Sequence, residues 1–80
     1  NMDNTSLFKV SDLEVANAKL ILKEVYQLLE ERGYNAINQI VGYLISGDPG
    51  YISSYKGARD KIVSIERADL LAYILKDYLQ

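Results

Sequence analysis

The chain lacks the two side chains that most often perform acid–base, nucleophilic or metal chemistry, because its 80 residues include no histidine and no cysteine. Catalysis would have to rest on carboxylates, lysines or tyrosines. The carboxylates are scattered and match no metal-binding or EF-hand spacing. The turn Gly47-Asp48-Pro49-Gly50 is too short for a phosphate-binding loop and lacks its Gly-Lys-Ser/Thr end. We therefore expect no enzyme, no catalytic residue, no cofactor and no metal.

Arg59, Glu66 and Arg67 are the charged residues whose spacing is most informative. Arg59 precedes Glu66 by seven residues, which is about two turns of a continuous helix. Such polar pairs more often fix packing than bind a ligand. We expect an Arg–Glu ion pair that holds two helices together, and a ligand site is the alternative.

The charge balance argues against a dominant role in binding nucleic acid or membranes. Nine basic and eleven acidic residues give a net charge of −2, which offers no general attraction to polyanions. No apolar run approaches the roughly 20 residues of a membrane span, and the first residues lack the pattern of a signal peptide. We expect a cytoplasmic protein without membrane insertion, in which Met2 is the natural start and Asn1 an added residue.

The small size of the chain predicts a single domain with a partner. A chain of this length buries only roughly 60 to 65% of its unfolded surface, and neither disulfides nor zinc thiolates can reinforce it. Seven tyrosines suit a half-buried surface, because the ring packs while the hydroxyl reaches water or a partner. We expect a homodimer, and tyrosines around the rim of a monomer core are the alternative.

Hydrophobic periodicity predicts an all-α fold, with residues 1–11 as a flexible N-terminal tail and residues 12–80 as a single helical domain. Ser11 is a candidate cap for the first helix, with Glu14 completing a capping box, and Gly33 is the stop signal. The apolar positions recur at three- and four-residue spacing. They are Ala18, Ile21, Leu22, Val25, Leu28 and Leu29.

A second helix follows at once, so the two should form an antiparallel hairpin. Asn35 is its predicted cap. Its apolar stripe consists of Ile37, Ile40, Val41, Leu44 and Ile45. Gly42 lies inside this helix, where glycine costs about 1 kcal/mol relative to alanine. We slightly favour the explanation that another backbone passes close to Gly42; the alternative is that the helix simply tolerates the loss of stability.

The remaining residues predict a short helix and one or two C-terminal helices. Gly47 ends the second helix, and Asp48 with Pro49 reads as the cap and first residue of a short turn. Ser54 is a candidate cap for a further helix that carries Ala58, Ile62 and Ile65. A last apolar stripe comprises Leu70, Leu71, Ile74, Leu75 and Tyr78. Whether the helix breaks near Arg67 stays open.

Residues 33–52 (GYNAINQIVGYLISGDPGYI) closely resemble the signature of the IreB/ReoM family of small bacterial regulatory phosphoproteins. The likeness extends over nearly the whole chain from Thr5. The signature positions within it are Gly33, Asn35, Asn38, Gln39, Gly42, Gly47, Asp48, Pro49, Arg59, Glu66 and Arg67.

The resemblance implies an all-helical, non-catalytic homodimer in the cytoplasm of low-GC Gram-positive bacteria. The resemblance also implies that the chain is a substrate of a membrane-anchored, cell-wall-sensing Ser/Thr kinase and of its cognate phosphatase. It further implies a role in tuning peptidoglycan synthesis. In one branch the unphosphorylated form presents the first committed enzyme of peptidoglycan-precursor synthesis to the Clp protease. Phosphorylation relieves that effect, which links the family to cephalosporin tolerance.

Carried over by this resemblance, the phosphoacceptor falls on Thr5, with Ser6 as a weaker candidate. A phosphate adds roughly −1.5 to −2 charge and three strong hydrogen-bond acceptors. It could pair with the basic cluster formed by Lys56, Arg59 and Lys61, or it could repel an acidic partner. On composition alone, an inert threonine in a tail is the alternative.

Three departures from the family pattern bear on the partner more than on the fold. Ala36 stands where the family usually has proline, at the predicted first residue of the second helix, and this costs only rigidity. Gly50 replaces a usual alanine, and Ala72 with Tyr73 replaces a commonly acidic pair.

A small helical nucleic-acid-binding module and a purely structural dimer remain the alternative functions.

Overall fold

The computed structural model describes residues 11–80, and α1 (Asp12–Glu31) is the longest helix in them. Its predicted capping box is confirmed. The backbone N–H of Glu14 donates to Ser11 Oγ at 3.1 Å, and Glu14 Oε1 accepts from the Ser11 N–H at 3.0 Å. Gly33 follows the helix with a φ of 87°, a left-handed conformation that glycine adopts without strain. The predicted tail, apart from Ser11, lies outside the described residues.

The second helix, α2 (Ala36–Ser46), forms a helical hairpin with α1. Asn35 caps it as predicted, since Asn35 Oδ1 accepts from the Asn38 N–H at 3.0 Å. Gly47 ends it in the left-handed conformation, with a φ of 76°. The Gly47 N–H donates to the carbonyl of Tyr43 at 2.7 Å. Both ends of α2 are therefore fixed by the residues that the sequence indicates.

Two 3₁₀ turns connect α2 to α3 (Ala58–Val63). The first spans Pro49–Tyr51, and Asp48 Oδ1 caps it by accepting from the Gly50 N–H at 2.8 Å. The second spans Tyr55–Gly57. The prediction that Ser54 caps the next helix is wrong, because its side chain makes no capping hydrogen bond. Two consecutive left-handed residues, Lys56 (φ 47°) and Gly57 (φ 79°), separate Ser54 from α3.

A break separates α3 from the last helix, α4 (Arg67–Leu79), which settles the question left open by the sequence. The break covers residues 64–66. Residues 11–80 are thus all-helical, with four α-helices and no strand.

All four helices contribute to one apolar core, in which α1 packs against each of the others. No polar or charged side chain of residues 11–80 is buried. The core residues are Ala18, Val25, Leu29, Ala36, Ile40, Tyr43, Ile52, Ala58, Ile62 and Leu70. Tyr43 is the one described tyrosine that is buried, so most of the aromatic surface remains at or near the exterior.

Candidate functional site

One side of α1 is covered by α3 and by the 3₁₀ turn that precedes it, and a salt bridge joins α1 to each of them. Lys56 Nζ lies 2.8 Å from Glu31 Oε2, and Lys61 Nζ lies 3.2 Å from Glu24 Oε2. The order of the two pairs, Glu31 with Lys56 and Glu24 with Lys61, shows that this segment runs antiparallel to α1. Lys56 and Lys61 were candidates for pairing with a phosphate, and in this structure each already has a carboxylate partner. We call this the α3 side of the molecule.

Tyr55 extends the same polar cluster at the C-terminal end of α1. Its hydroxyl donates to Glu31 Oε2 at 2.5 Å, so one carboxylate oxygen accepts from both Tyr55 and Lys56. The hydrogen bond from Lys56, followed by that from Tyr55, lowers the pKa of Glu31. The Arg32 guanidinium lies 5.7 Å from the ring centroid of Tyr34 and 6.0 Å from that of Tyr55. This end of the α3 side is thus held by several exposed contacts.

The expected ion pair between Arg59 and Glu66 is wrong. Arg59 Nε donates instead to the carbonyl of Ile52 at 2.8 Å, and residues 11–80 contain no salt bridge to Glu66. The helix ends before Glu66, which is the N-cap residue of α4 and makes no capping bond through its side chain. The spacing argument assumed a continuous helix, and the break removes its basis.

Arg67 does hold two helices together, but through a backbone carbonyl. Its Nη1 donates to the carbonyl of Leu44 at 3.0 Å, near the C-terminal end of α2. A cation there is favourable, because the last carbonyls of a helix carry partial negative charge. The guanidinium also covers Gly47, where an added Cβ would lie 2.8 Å from Nη2. Arg67 therefore connects the start of α4 to the end of α2.

Gly42 makes room for an aromatic ring and not, as expected, for another backbone. The ring of Tyr51 lies directly against it, so that an added Cβ would be 2.9 Å from Tyr51 Cε1 and closer still to Cδ1. Tyr51 belongs to the first 3₁₀ turn. Gly42 is thus the position on α2 against which that turn packs.

Gln39 joins α2 to the same connection, since Gln39 Oε1 accepts from the Ser53 N–H at 2.9 Å. Asn38 contributes its backbone N–H to the Asn35 cap. Most signature positions therefore hold backbone in place, through caps, left-handed glycines or side-chain bonds to the main chain. They are Gly33, Asn35, Asn38, Gln39, Gly47, Asp48, Pro49, Arg59 and Arg67, while Gly42 makes room for the ring of Tyr51. These contacts position the scaffold and bring no reactive groups together.

The opposite side of α1 carries an apolar groove between α1, α2 and α4. The groove has a volume of about 370 Å³ and is lined almost entirely by apolar atoms. Its lining comprises Leu22, Lys23, Tyr26, Ile37, Ile40, Val41, Leu44, Tyr73 and Ile74. Beside it, Ile37, Val41 and Ile45 of α2 are 58%, 45% and 79% exposed. We call the groove and this stripe the open side of the molecule.

The helix α4 also presents an apolar face away from the core. Leu71, Leu75 and Tyr78 recur at helical spacing on it and are exposed. A shallow opening of about 820 Å³ lies over this face. It is lined by Glu66, Arg67, Ala68, Leu71, Ala72, Leu75 and Lys76. We call it the outer face of α4. Sequence periodicity found the apolar residues on α2 and α4 but not which of them the fold leaves uncovered.

The starts of α1 and α4 lie near each other. Burial, followed by the negative charges of Glu14 and Glu66, raises the pKa of the Asp69 carboxyl in the first turn of α4. Residue 11, from which the N-terminal residues continue, therefore lies near the start of α4.

Two further features of residues 11–80 concern metals and membranes. No three of their carboxylates come together as a group that could hold a metal ion. None of their helices combines the length and apolar character that crossing a bilayer requires.

Comparison with known proteins identifies relatives over nearly the full chain. A family model described as "IreB regulatory phosphoprotein" matches residues 3–80. A protein of Ruminiclostridium cellulolyticum named "UPF0297 protein" is 49% identical over 79 residues, which cover 99% of this chain and 90% of the relative. The resemblance carried by residues 33–52 is thereby confirmed. The chain belongs to the IreB family of regulatory phosphoproteins.

Proposed function

We propose that this chain is a non-enzymatic regulatory phosphoprotein, phosphorylated on Thr5 by a cell-wall-sensing Ser/Thr kinase and dephosphorylated by its cognate phosphatase. The family match carries the proposal, because it spans residues 3–80 and so includes Thr5. The bonds made by the signature residues support it. They stabilise the backbone of residues 11–80, which is a structural and not a catalytic role.

Phosphorylation is tested by incubating the chain with the kinase of its source organism and mapping phosphate by mass spectrometry. We expect phosphate on Thr5, with Ser6 as a minor site at most, and the phosphatase should remove it. Thr5→Ala should abolish the modification, while Ser6→Ala, the matched control, should retain it. Phosphate found only on Ser6 or elsewhere would contradict the assignment.

We propose that the output is peptidoglycan synthesis and cephalosporin tolerance, through Clp-dependent turnover of a peptidoglycan-precursor enzyme. Pull-down from the native cell tests this, with phosphorylated and unphosphorylated chain as bait. We expect the enzyme and the Clp machinery to be retained by the unphosphorylated chain and lost on phosphorylation. Equal binding by Thr5→Ala and the phosphomimetic Thr5→Glu would contradict the proposed switch.

A cytoplasmic homodimer is the proposed state of the protein, and the open side is its proposed interface. An uninterrupted apolar groove beside three exposed aliphatic side chains is unusual for a small monomer, and a second copy would remove both from water. Tyrosines at the groove, such as Tyr26 and Tyr73, fit the composition of interfaces. Sedimentation at micromolar concentration should give twice the mass of one chain. A mass of one chain would contradict the dimer.

A nucleic-acid-binding module, the alternative considered from the sequence, gains no support from the basic side chains. Lys56 and Lys61 pair with carboxylates, and Arg59 and Arg67 bind backbone carbonyls. A gel-shift assay at low salt tests this alternative, because binding through phosphates would be strongest there. A purely structural dimer would differ from the proposed regulator in showing no change of partner binding on phosphorylation.

A further inference from the structure

The outer face of α4 has the shape of a surface on which another helix packs. Leu71 and Leu75 form its centre and are 42% and 54% exposed. Ala68 and Ala72 lie beside them and line the opening of about 820 Å³. Large side chains next to small ones leave a depression that can receive the side chains of a second helix. Within residues 11–80 the two leucines stay exposed, so this surface is not used by the fold itself.

The two ends of this face carry opposite charges. Glu66 lies where α4 begins, its side chain makes no capping bond, and Asp69 adds a second carboxylate to the first turn. Lys76 lies toward the other end, and no salt bridge joins Glu66 or Lys76 to another residue of 11–80. The Arg67 guanidinium also lines the opening, but it binds a backbone carbonyl at the end of α2. Asp77 is not part of the lining, because successive residues of a helix point about 100° apart.

This distribution of charge defines the helix that would complement the face. Such a helix needs basic residues opposite Glu66 and acidic residues opposite Lys76. These two positions are ten residues apart, or about 15 Å along α4, so the charges of the partner helix are separated by about three turns. Acidic residues are favourable near the N-terminal end of a helix and basic residues near its C-terminal end. A partner helix with this order of charges therefore lies antiparallel to α4.

The α4 of a second copy carries the same order of charges, but the second copy is already proposed to occupy the open side. The opening over α4 and the groove of the open side share no lining residue. A dimer formed through the groove therefore leaves the outer face of α4 in water. Pairing of α4 with α4 in addition would extend that dimer into a larger assembly. The outer face is thus left for a different protein.

We propose that the outer face of α4 binds an amphipathic helix of a different protein, antiparallel to α4, through Leu71 and Leu75 and through the charges of Glu66 and Lys76. The partner helix fills the opening with large apolar side chains. Its N-terminal end is acidic and its C-terminal end is basic. This inference rests on the proposed dimer through the open side, and it gives the proposed regulator a surface for a partner.

The test is a titration of the isotope-labelled full chain with a synthetic helix, followed by nuclear magnetic resonance. The probe peptide carries leucines at helical spacing, glutamates in its first turn and lysines in its last turn, about eleven positions apart. A neutral peptide has glutamine at these charged positions, and a hydrocarbon staple keeps both peptides helical. We expect the shifted amide signals to centre on Leu71 and Leu75. The charged peptide should bind about fivefold more tightly at low salt, as expected for exposed ion pairs, and this advantage should vanish at high salt.

Variants separate the charged contacts from the apolar ones. Lys76→Glu should lower the affinity for the charged peptide about fivefold and leave that for the neutral peptide unchanged. Lys19→Glu, at an exposed lysine of α1, is its matched control and should change neither affinity. Leu75→Ser should weaken both peptides about tenfold, because apolar contact area is lost. Its control is Leu20→Ser on α1, where the leucine is 67% exposed, and this variant should bind like the native chain.

The direction of the bound helix has its own measurement. A nitroxide at the N-terminus of the charged peptide should broaden the amide signal of Lys76 more than that of Ala68. The opposite order would overturn the antiparallel arrangement.

The proposal is overturned by the absence of saturable binding at roughly millimolar peptide, or by equal affinity for the two peptides at low salt. Shifts centred on Tyr26 and Val41 would also overturn it, since they place the peptide in the groove. In sedimentation, a mass above that of a dimer, or dissociation of the dimer by Leu75→Ser, would show that a second copy covers the face. A dimer that binds no peptide contradicts this inference alone, and a monomer that binds it on α4 contradicts the proposed dimer alone. The kinase and the phosphate take no part in these measurements.

Discussion

The two sides of α1 differ in how fully they are covered by the rest of the chain. On the α3 side, Ala58 and Ile62 are fully buried, and the salt bridges of Lys56 and Lys61 cover the edge of the contact. On the open side, the contact between α1, α2 and α4 leaves an apolar groove and the exposed side chains of Val41 and Ile45. One side of α1 is thus bordered by ion pairs, and the other is left apolar. The α3 side stabilises the fold, and the open side is suited to a partner.

The largest effect should come from the buried centre of the α3 side. Ile62→Ala removes three carbons from a fully buried position, and we expect the free energy of unfolding to fall by about 2 to 5 kcal/mol. Urea denaturation at several protein concentrations measures it. The loss should appear at every concentration, because the contact lies within one chain. If Ile62→Ala fails to fold, Ile62→Val should show the same pattern with about 0.5 to 1.5 kcal/mol.

The second effect should be confined to association. Val41→Lys places a charge on the open side, and burial of that charge in an interface should weaken dimerisation by about 10- to 100-fold. Sedimentation equilibrium measures the dissociation constant, and circular dichroism checks that the helices are retained.

Val63→Lys is the matched control, because Val63 is 42% exposed on α3 while Val41 is 45% exposed on α2. The same substitution at nearly the same exposure should leave the dissociation constant unchanged and alter stability by less than about 0.5 kcal/mol. Equal weakening by both lysines would show that the two sides do not differ as proposed.

A third, smaller effect should come from the contact between Gly42 of α2 and Tyr51 of the first 3₁₀ turn. Gly42→Ala improves helix propensity by about 1 kcal/mol, but its methyl group would overlap the ring of Tyr51. We expect a net loss of about 1 kcal/mol in the native chain, because the ring must move. In a Tyr51→Ala background the sign should reverse. A double-mutant cycle by thermal or urea unfolding measures the coupling, and additive effects would contradict the contact.

The sequence predicts those features whose causes lie within a few residues. Ser11 and Glu14, Asn35, Gly47, and Asp48 with Pro49 each act on backbone no more than four positions away, and all appear where they are expected. The errors concern contacts between distant segments. The partner of Arg59 is the carbonyl of Ile52, and the neighbour of Gly42 is the ring of Tyr51. Neither follows from periodicity, because both depend on how the connection after α2 folds back.

Contacts between distant segments also explain why the sequence mispredicts the role of Ser54 and does not identify the open side. Ser54 has the residue type of a cap, but left-handed Lys56 and Gly57 redirect the chain before α3 begins. Periodicity places Ile37, Val41 and Ile45 on the apolar stripe of α2 together with Ile40 and Leu44. Only the packing of α1 and α4 decides that Ile40 is buried while Ile45 stays in water. The candidate interface is therefore a property of the assembled fold.

The smallest effect should come from the salt bridges that cover the α3 side, and it should depend on pH. Hydrogen bonds from Lys56 and Tyr55 lower the pKa of Glu31 in the folded chain. A carboxyl whose pKa is lower in the folded state than in the unfolded state stabilises the fold above the unfolded value, about 4.3. That contribution is lost as the pH falls through the folded pKa. Glu31→Gln should therefore lower the Tm slightly at pH 7 and leave it unchanged in strong acid.

Glu30→Gln is the matched control for this effect, because the neighbouring Glu30 side chain makes no salt bridge within residues 11–80. Thermal unfolding followed by circular dichroism across this pH range measures both variants. The gap between the Glu31→Gln and native curves should close as acid is added, whereas a gap that widens would mean that Glu31 opposes folding. Val41→Lys combined with Glu31→Gln should show both losses in full. The reason is that, in the proposed dimer, the polar contacts of the α3 side act on folding and the apolar groove acts on association.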